Sequence, residues 1–79
     1  MQTTFQLSEE YITLCNLLKV CGIAPSGGAA KHLIGDGYVE VDGQTELRKT
    51  CKIRAGMLVT GNGFEIQVLG AEIMPALHI

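Results

Sequence analysis

The sequence contains no tryptophan, and its only aromatic residues are Phe5, Tyr11, Tyr38 and Phe64. A chain of 79 residues forms one small domain that has little apolar area to spare. The core must therefore consist of Leu, Ile, Val, Ala and Cys side chains, with the four aromatic residues as its few large pieces.

Cysteine is also scarce, and its arrangement excludes several classes of protein. Cys15, Cys21 and Cys51 are an odd number and form no CxxC pair, which argues against a disulfide framework and favours a reducing cytoplasm. The spacing of potential ligands fits no metal site, and nothing indicates a cofactor. No secretory signal is visible, and no apolar run approaches the roughly 18 residues that a membrane span needs.

Basic residues are few but clustered. Five of the six Lys and Arg residues lie between positions 31 and 54, although the formal net charge is −2. Four of them fall in residues 48–54, Arg-Lys-Thr-Cys-Lys-Ile-Arg, which we call the basic segment. A surface polarised in this way attracts polyanions, of which nucleic acid is the most common.

The first half of the chain predicts one strand and two helices. Residues 3–7 alternate like a short strand. Ser8 resembles an N-cap, and the apolar positions that follow predict a helix up to Gly22. Pro25 separates it from a second helix of two to three turns, which begins after the N-cap Ser26 and ends near Gly35.

The second half predicts strands. Residues 38–41 read as a strand followed by an Asp42-Gly43 turn, and residues 57–60 and 64–69 read as a hairpin. Residues 44–56 show no clear periodicity. We expect an α+β fold in residues 1–69, with two short helices packed on a small, mostly antiparallel sheet that the N-terminal strand joins, and a loosely ordered tail over residues 70–79.

Two places in the sequence could contact phosphate. The basic segment is one, and because Glu46 is the only acid between residues 43 and 64, we expect the segment not to be neutralised locally. The other is the start of helix two, where Gly27 and Gly28 would present backbone N–H groups at the positive end of a helix dipole. The alternatives are a solvated loop for the basic segment, and for helix two an ordinary cap with glycines that permit close packing.

Cys51 would be a reactive thiol only if it were exposed beside these cations, and a buried, inert Cys51 is the competing interpretation.

The order of these features resembles the RNA-binding domain named after ribosomal small-subunit protein S-four, the αL motif. The matching positions extend from about residue 8 to 69. The run from Ser26 to Lys31, the Val41-Asp42-Gly43 turn and the run from Thr45 to Lys49 are most similar to the small stand-alone bacterial members, the YbcJ-like proteins. Many larger members have Arg directly after the helix-two Ser, where this chain has Gly27.

The resemblance implies that helix two and the basic segment form one RNA-facing surface. The candidate contacts are Ser26, Gly27, Lys31, His32, Arg48, Lys49, Lys52 and Arg54. Because no aromatic residue lies among them, we expect the protein to recognise structured RNA. Family analogy indicates ribosomal or transfer RNA. We also expect a monomer with no catalytic activity and no small-molecule substrate. The alternatives are a protein-interaction or ribosome-assembly module, a helix-turn-helix DNA binder, and an enzyme dependent on Cys51.

Overall fold

The computed structural model describes residues 1–70 and contains two helices and seven strands within them. The elements are β1 Gln2–Leu7, β2 Ile12–Thr13, α1 Leu14–Val20, α2 Gly27–Gly35, β3 Val39–Val41, β4 Gln44–Thr45, β5 Lys52–Ile53, β6 Leu58–Gly61 and β7 Phe64–Gly70. Neither helix is long and apolar enough to cross a membrane.

Five of the strands form one mixed sheet in the order β1-β7-β6-β3-β4. Its β3–β4, β3–β6 and β6–β7 pairs are antiparallel, whereas β1 runs parallel to β7 from Gln2↔Glu65 to Leu7↔Gly70. The predicted α+β class, with a mostly antiparallel sheet that the N-terminal strand joins, is confirmed. β2 and β5 form a separate two-stranded sheet.

The hairpin between β6 and β7 and the turn after β3 follow their sequence signals. Gly63 adopts φ 91° in the turn after Gly61, as a tight hairpin turn requires. In the turn after β3, Asp42 has φ 52° and Gly43 φ 86°. The Asp42 carboxylate also accepts a hydrogen bond from the Leu58 N–H at 2.9 Å, so this turn is fastened to the neighbouring strand β6.

The core lies between the helices and the sheet. Twelve apolar residues are buried there: Leu7, Leu14, Leu17, Leu18, Ala24, Ala30, Ile34, Val39, Ile53, Val59, Ile66 and Val68. Phe5 and Phe64 pack against this core, but Tyr11 and Tyr38 are exposed. The prediction that both tyrosines belong to the core is therefore wrong, because aliphatic side chains fill the space between the layers.

The start of the first helix differs from the prediction. Ser8 does not cap it, and α1 begins at Leu14 with Thr13 as its N-cap, whose hydroxyl oxygen accepts a hydrogen bond from the Asn16 N–H at 3.4 Å. Ile12 and Thr13 are instead extended, because they pair with Ile53 and Lys52 of β5. The tertiary pairing thus overrides the helical spacing that began at Tyr11.

The end of the first helix and the whole of the second agree with the sequence. α1 is followed by Gly22 at φ 77°, a conformation that favours glycine. Ser26 caps α2 through its hydroxyl oxygen, which accepts a hydrogen bond from the Ala29 N–H at 3.2 Å. Gly70, assigned to the tail by the sequence, is the last residue of β7, and the rest of the predicted tail, residues 71–79, lies outside the described residues.

Candidate nucleic-acid interface

The basic segment is held against the first turn of α1. The Leu14 N–H donates to the Cys51 carbonyl at 2.9 Å, and the Cys15 N–H donates to the Lys49 carbonyl at 3.0 Å. Ile53 pairs with Ile12 and is completely buried. Because side chains alternate along a strand, burying Ile53 turns its neighbours Lys52 and Arg54 outward, and both are exposed.

Cys15 is the residue at which the two predicted phosphate-binding places meet. Its backbone N–H contacts Lys49 of the basic segment, and its Sγ lies 3.7 Å from the carbonyl oxygen of Gly27 in the first turn of α2. The start of α1 therefore lies between the N-terminus of α2 and the basic segment. The two segments are 22 residues apart along the chain but touch the same side chain and its backbone.

The N-terminus of α2 is open. A Cβ atom built on Gly27 would meet no heavy atom within 4 Å, and one built on Gly28 would meet only the Ser26 Oγ at 3.9 Å. The alternative interpretation, in which these glycines permit close helix packing, therefore has no support. The backbone of these glycines is uncovered, and it lies at the positive end of a nine-residue helix.

Lys31 and His32 lie on the exposed face of α2, as the sequence predicted. Within residues 1–70, no hydrogen bond or ion pair joins either side chain to the basic segment. The structure therefore brings Gly27 and Lys49 to the same residue, Cys15. Lys31 and His32 lie on the exposed surface of α2 and, among the described residues, do not contact the cations of the segment.

The four cations of the basic segment are of two kinds. The Arg48 Nε lies 3.0 Å from Glu46 Oε2, and the backbone N–H of Arg48 donates to the same oxygen at 3.0 Å. The Arg54 Nη1 lies 3.6 Å from Glu10 Oε2. Lys49 and Lys52 have no carboxylate partner among residues 1–70. They are therefore the cations most available to an external anion.

The Glu46–Arg48 pair corrects the expectation that the basic segment is not neutralised locally. The hydrogen bonds from Arg48 favour the charged carboxylate and lower the pKa of Glu46 to about 2. The Arg48 side chain is nevertheless 75% exposed, against 18% for Glu46. Arg48 thus keeps an open side toward solvent, but part of its charge is already compensated.

Tyr11 lies beside Lys52 and Arg54, in a region where the sequence predicted no aromatic residue. The Lys52 Nζ is 5.1 Å from the centroid of its ring, and the Arg54 Cζ is 5.7 Å from it. Both distances fall within the range of cation–π contacts. The expectation that the candidate surface lacks an aromatic residue is wrong. The sequence signal that could have found it is the β-favouring run Tyr11-Ile12-Thr13.

Cys51 does not have the properties of a reactive thiol. Partial burial raises its pKa, and the nearby Glu46 carboxylate raises it further, despite the opposing effect of Arg48. Its side chain packs against the core. The enzyme alternative depended on a lowered pKa at this residue and so loses its support. Cys15, Cys21 and Cys51 are all free thiols, and residues 1–70 contain no group of three or more His, Cys, Asp or Glu side chains that could hold a metal ion.

Comparisons with known proteins agree with this architecture. The S4 domain family matches residues 5–69. YbcJ of Escherichia coli strain K12 and YbcJ of Shigella flexneri are each 46% identical to this chain over 67 residues, which cover 84% of this chain and 96% of the relative. The solution structure of E. coli YbcJ, which reveals an αL motif involved in RNA binding, is similar with a TM-score of 0.67 at 46% identity and covers 84% of this chain and 85% of that one.

Two helices packed on a mixed sheet give this chain an α+β fold that matches the αL-motif fold of E. coli YbcJ. The chain belongs to the S4 domain family, since the match covers most of its length. The resemblance inferred from the sequence, including its similarity to the YbcJ-like members, is confirmed.

Proposed function

We propose that this protein is a non-catalytic RNA-binding protein that contacts the phosphate backbone of structured RNA. The proposed unit is the single domain over residues 1–69, acting as a monomer in the cytoplasm. Its contacts are Ser26, Gly27, Lys31 and His32 on α2, and Arg48, Lys49, Lys52 and Arg54 on the basic segment. Membership of the S4 domain family and the αL motif of the solved relative support this assignment.

The observation that carries the proposal is the double contact of Cys15 with Lys49 and Gly27. A phosphate at the open N-terminus of α2 would meet uncovered N–H groups, and its neighbours along an RNA strand would meet Lys49 and Lys52. Backbone phosphates, rather than base edges, suit such a mixture of N–H groups and flexible cations. Ribosomal and transfer RNA are the structured RNAs we propose, by analogy with the family.

Structured RNA remains a better ligand for this surface than a long single strand. Single-strand binders place several aromatic residues along one groove, whereas Tyr11 is the one aromatic ring in contact with these cations within residues 1–70. A-form helices are recognised mainly through phosphates and shape, which requires cations and not a row of rings.

The test is an anisotropy titration with an RNA hairpin over a range of salt concentrations. If about four phosphates are neutralised, log affinity falls with log salt at a slope of about −3 to −4. We expect Lys49→Glu to lower the affinity roughly tenfold, because it removes one charge-assisted contact and adds repulsion. Lys19→Glu is the matched control, since it makes the same charge change at a residue of α1 that is not among the proposed contacts.

Four outcomes would contradict the proposal. A salt slope near zero removes the electrostatic mechanism. Unchanged binding by a correctly folded Lys49→Glu variant favours the protein-interaction module, and equal losses in both variants would mean that only the total charge matters. Preference for duplex DNA over the hairpin in a competition assay would favour the helix-turn-helix alternative, although α1 is preceded by strands in this fold.

A further inference from the structure

The observations around Tyr11 extend beyond a phosphate-binding surface. We propose that Tyr11 is a stacking site for one unpaired nucleobase at the edge of the basic segment, an inference that rests on the proposed RNA-binding function. The ligand would be a nucleotide next to a helical stem, with its base on the Tyr11 ring and its flanking phosphates on Lys52 and Arg54.

Tyr11 has no evident role in the core. Its side chain lies outside both helices, is 37% exposed, and does not belong to the group of partly buried side chains that pack against the core. Its neighbour Ile12 does pack there, so the alternation of β2 directs Tyr11 away from the core. An aromatic ring held at the surface beside two cations is available to a ligand.

The two cations are spaced for a nucleotide backbone. Lys52 and Arg54 are two residues apart on an extended segment, so they project to the same side, and both contact the Tyr11 ring. At an exposed site a cation–π contact is weaker than a charge-assisted hydrogen bond to phosphate. Incoming phosphates would therefore draw the cations from the ring and expose its face to the base that they flank.

A groove beside the ring suits a base and not a phosphate. It has a volume of about 440 Å³ and is lined by Glu9, Glu10, Tyr11, Ile12, Thr13 and Asn16. The carboxylates of Glu9 and Glu10 repel phosphate, but they accept hydrogen bonds from the amino groups of bases. The charge pattern thus directs the phosphates toward Lys52 and Arg54 and directs the base toward the groove.

The experiment compares three RNA probes that share one stem-loop. The first hairpin is blunt, the second carries two unpaired adenines at its 3′ end, and the third carries them at its 5′ end. Adenine offers a large stacking surface and an amino group for the carboxylates. The variants are Tyr11→Phe, which keeps the ring, and Tyr11→Leu, which removes it. Tyr38→Leu is the matched control, because Tyr38 is 55% exposed and, within residues 1–70, makes no cation–π contact with the basic segment.

We expect Tyr11→Leu to lose about 5- to 100-fold in affinity for at least one adenine-bearing hairpin, which is the range of a lost base–aromatic stack. Its affinity for the blunt hairpin should change less than about twofold, because the phosphates of that probe replace the Tyr11 ring as the partners of Lys52 and Arg54 and no base stacks on the ring. Tyr11→Phe and Tyr38→Leu should bind all three probes like the unmodified protein. The salt slope should stay the same in Tyr11→Leu, since stacking releases no counterions.

A second measurement reads the stack directly. The chain has no tryptophan and only two tyrosines, so Tyr38→Phe leaves Tyr11 as the sole fluorophore of interest. We expect an adenine-bearing hairpin to quench its emission more than the blunt hairpin does at equal saturation.

The remaining outcomes overturn the inference in distinguishable ways. Equal losses on blunt and adenine-bearing hairpins would show that Tyr11 only positions Lys52 and Arg54. Unchanged affinity of Tyr11→Leu for all probes would show that no base stacks there. If the unmodified protein binds none of the three hairpins, the proposed function fails, and this inference fails with it.

Discussion

The β6–β7 hairpin and the basic segment both have an extended backbone, but different contacts hold the two regions in place. The two strands of the hairpin are neighbours in the chain and form four residue pairs. They bury Val59, Ile66 and Val68 completely. The basic segment has two residues in a strand and buries only Ile53 completely. It is ordered by α1 and β2, some 35 to 40 residues earlier in the chain. The region proposed to bind RNA is thus the more weakly anchored of the two.

The largest effect that tests this contrast comes from two identical substitutions. Ile53 and Ile66 are both completely buried, one in each region. We expect Ile66→Ala to cost about 2–5 kcal/mol of the free energy of unfolding, and Ile53→Ala to cost an amount near the lower end of that range because the segment can relax around the gap. Urea denaturation followed by circular dichroism measures both.

The same pair of variants separates global from local loosening. In Ile53→Ala we expect faster amide hydrogen exchange at Leu14 and Cys15, whose N–H groups donate to the basic segment, and little change at Val68 in the hairpin. Equal acceleration at all three sites in both variants would erase the distinction between the two regions.

A smaller effect is expected inside the hairpin. A Cβ atom on Gly61 would overlap the Phe64 ring and lie 2.8 Å from the Tyr38 carbonyl oxygen. We expect Gly61→Ala to destabilise the fold by about 1–3 kcal/mol, as overpacking does. Gly35→Ala is the control, because a Cβ there meets nothing within 4 Å, and its free energy of unfolding should not fall. A neutral Gly61→Ala would mean that the hairpin adapts as readily as the basic segment.

The smallest effect concerns the ion pair next to the basic segment. The pKa of Glu46 is lowered from its ordinary value of 4.5 to about 2 by hydrogen bonds from Arg48. A carboxylate with a lowered pKa contributes stability that is present above pH 4.5 and is lost as the pH falls toward 2. We expect NMR titration to show this low pKa, and Arg48→Ala to raise the pKa of Glu46 back toward its ordinary value of 4.5.

Lys49→Ala is the control for this titration, because Lys49 makes no ion pair with Glu46. A Glu46 pKa that stays low in Arg48→Ala, or rises equally in Lys49→Ala, would show that the pair does not organise this part of the chain.

The sequence predicted the elements whose cause is local. Ser26 caps α2, Gly22 follows α1, Asp42-Gly43 forms a turn and Gly63 closes the hairpin, because each depends on the conformations open to a few neighbouring residues. From the residues alone the candidate site was predicted as two separate pieces, and only the family resemblance implied that they form one surface. That Cys15 contacts both Lys49 and Gly27 depends on tertiary structure, which no short pattern encodes.

The errors around the start of α1 share one physical cause. Ser8 and the spacing from Tyr11 predict an early helix start, but pairing of Ile12 with Ile53 keeps this stretch extended. A two-residue strand is too short to show a period of two, so β5 could not be recognised from its own residues. Tyr11 was assigned to the core for the same reason, since its position depends on β2.

The parallel pairing of β1 with β7 has a consequence for biosynthesis. β1 is among the first residues to be translated, yet its hydrogen-bonding partner is complete only when residue 70 has been added. During translation β1 must therefore remain unpaired while the helices and the central strands form. β7 provides the missing partner of β1, so released chains that end before residue 64 should leave β1 open to protease, whereas released chains that extend past residue 70 should protect it.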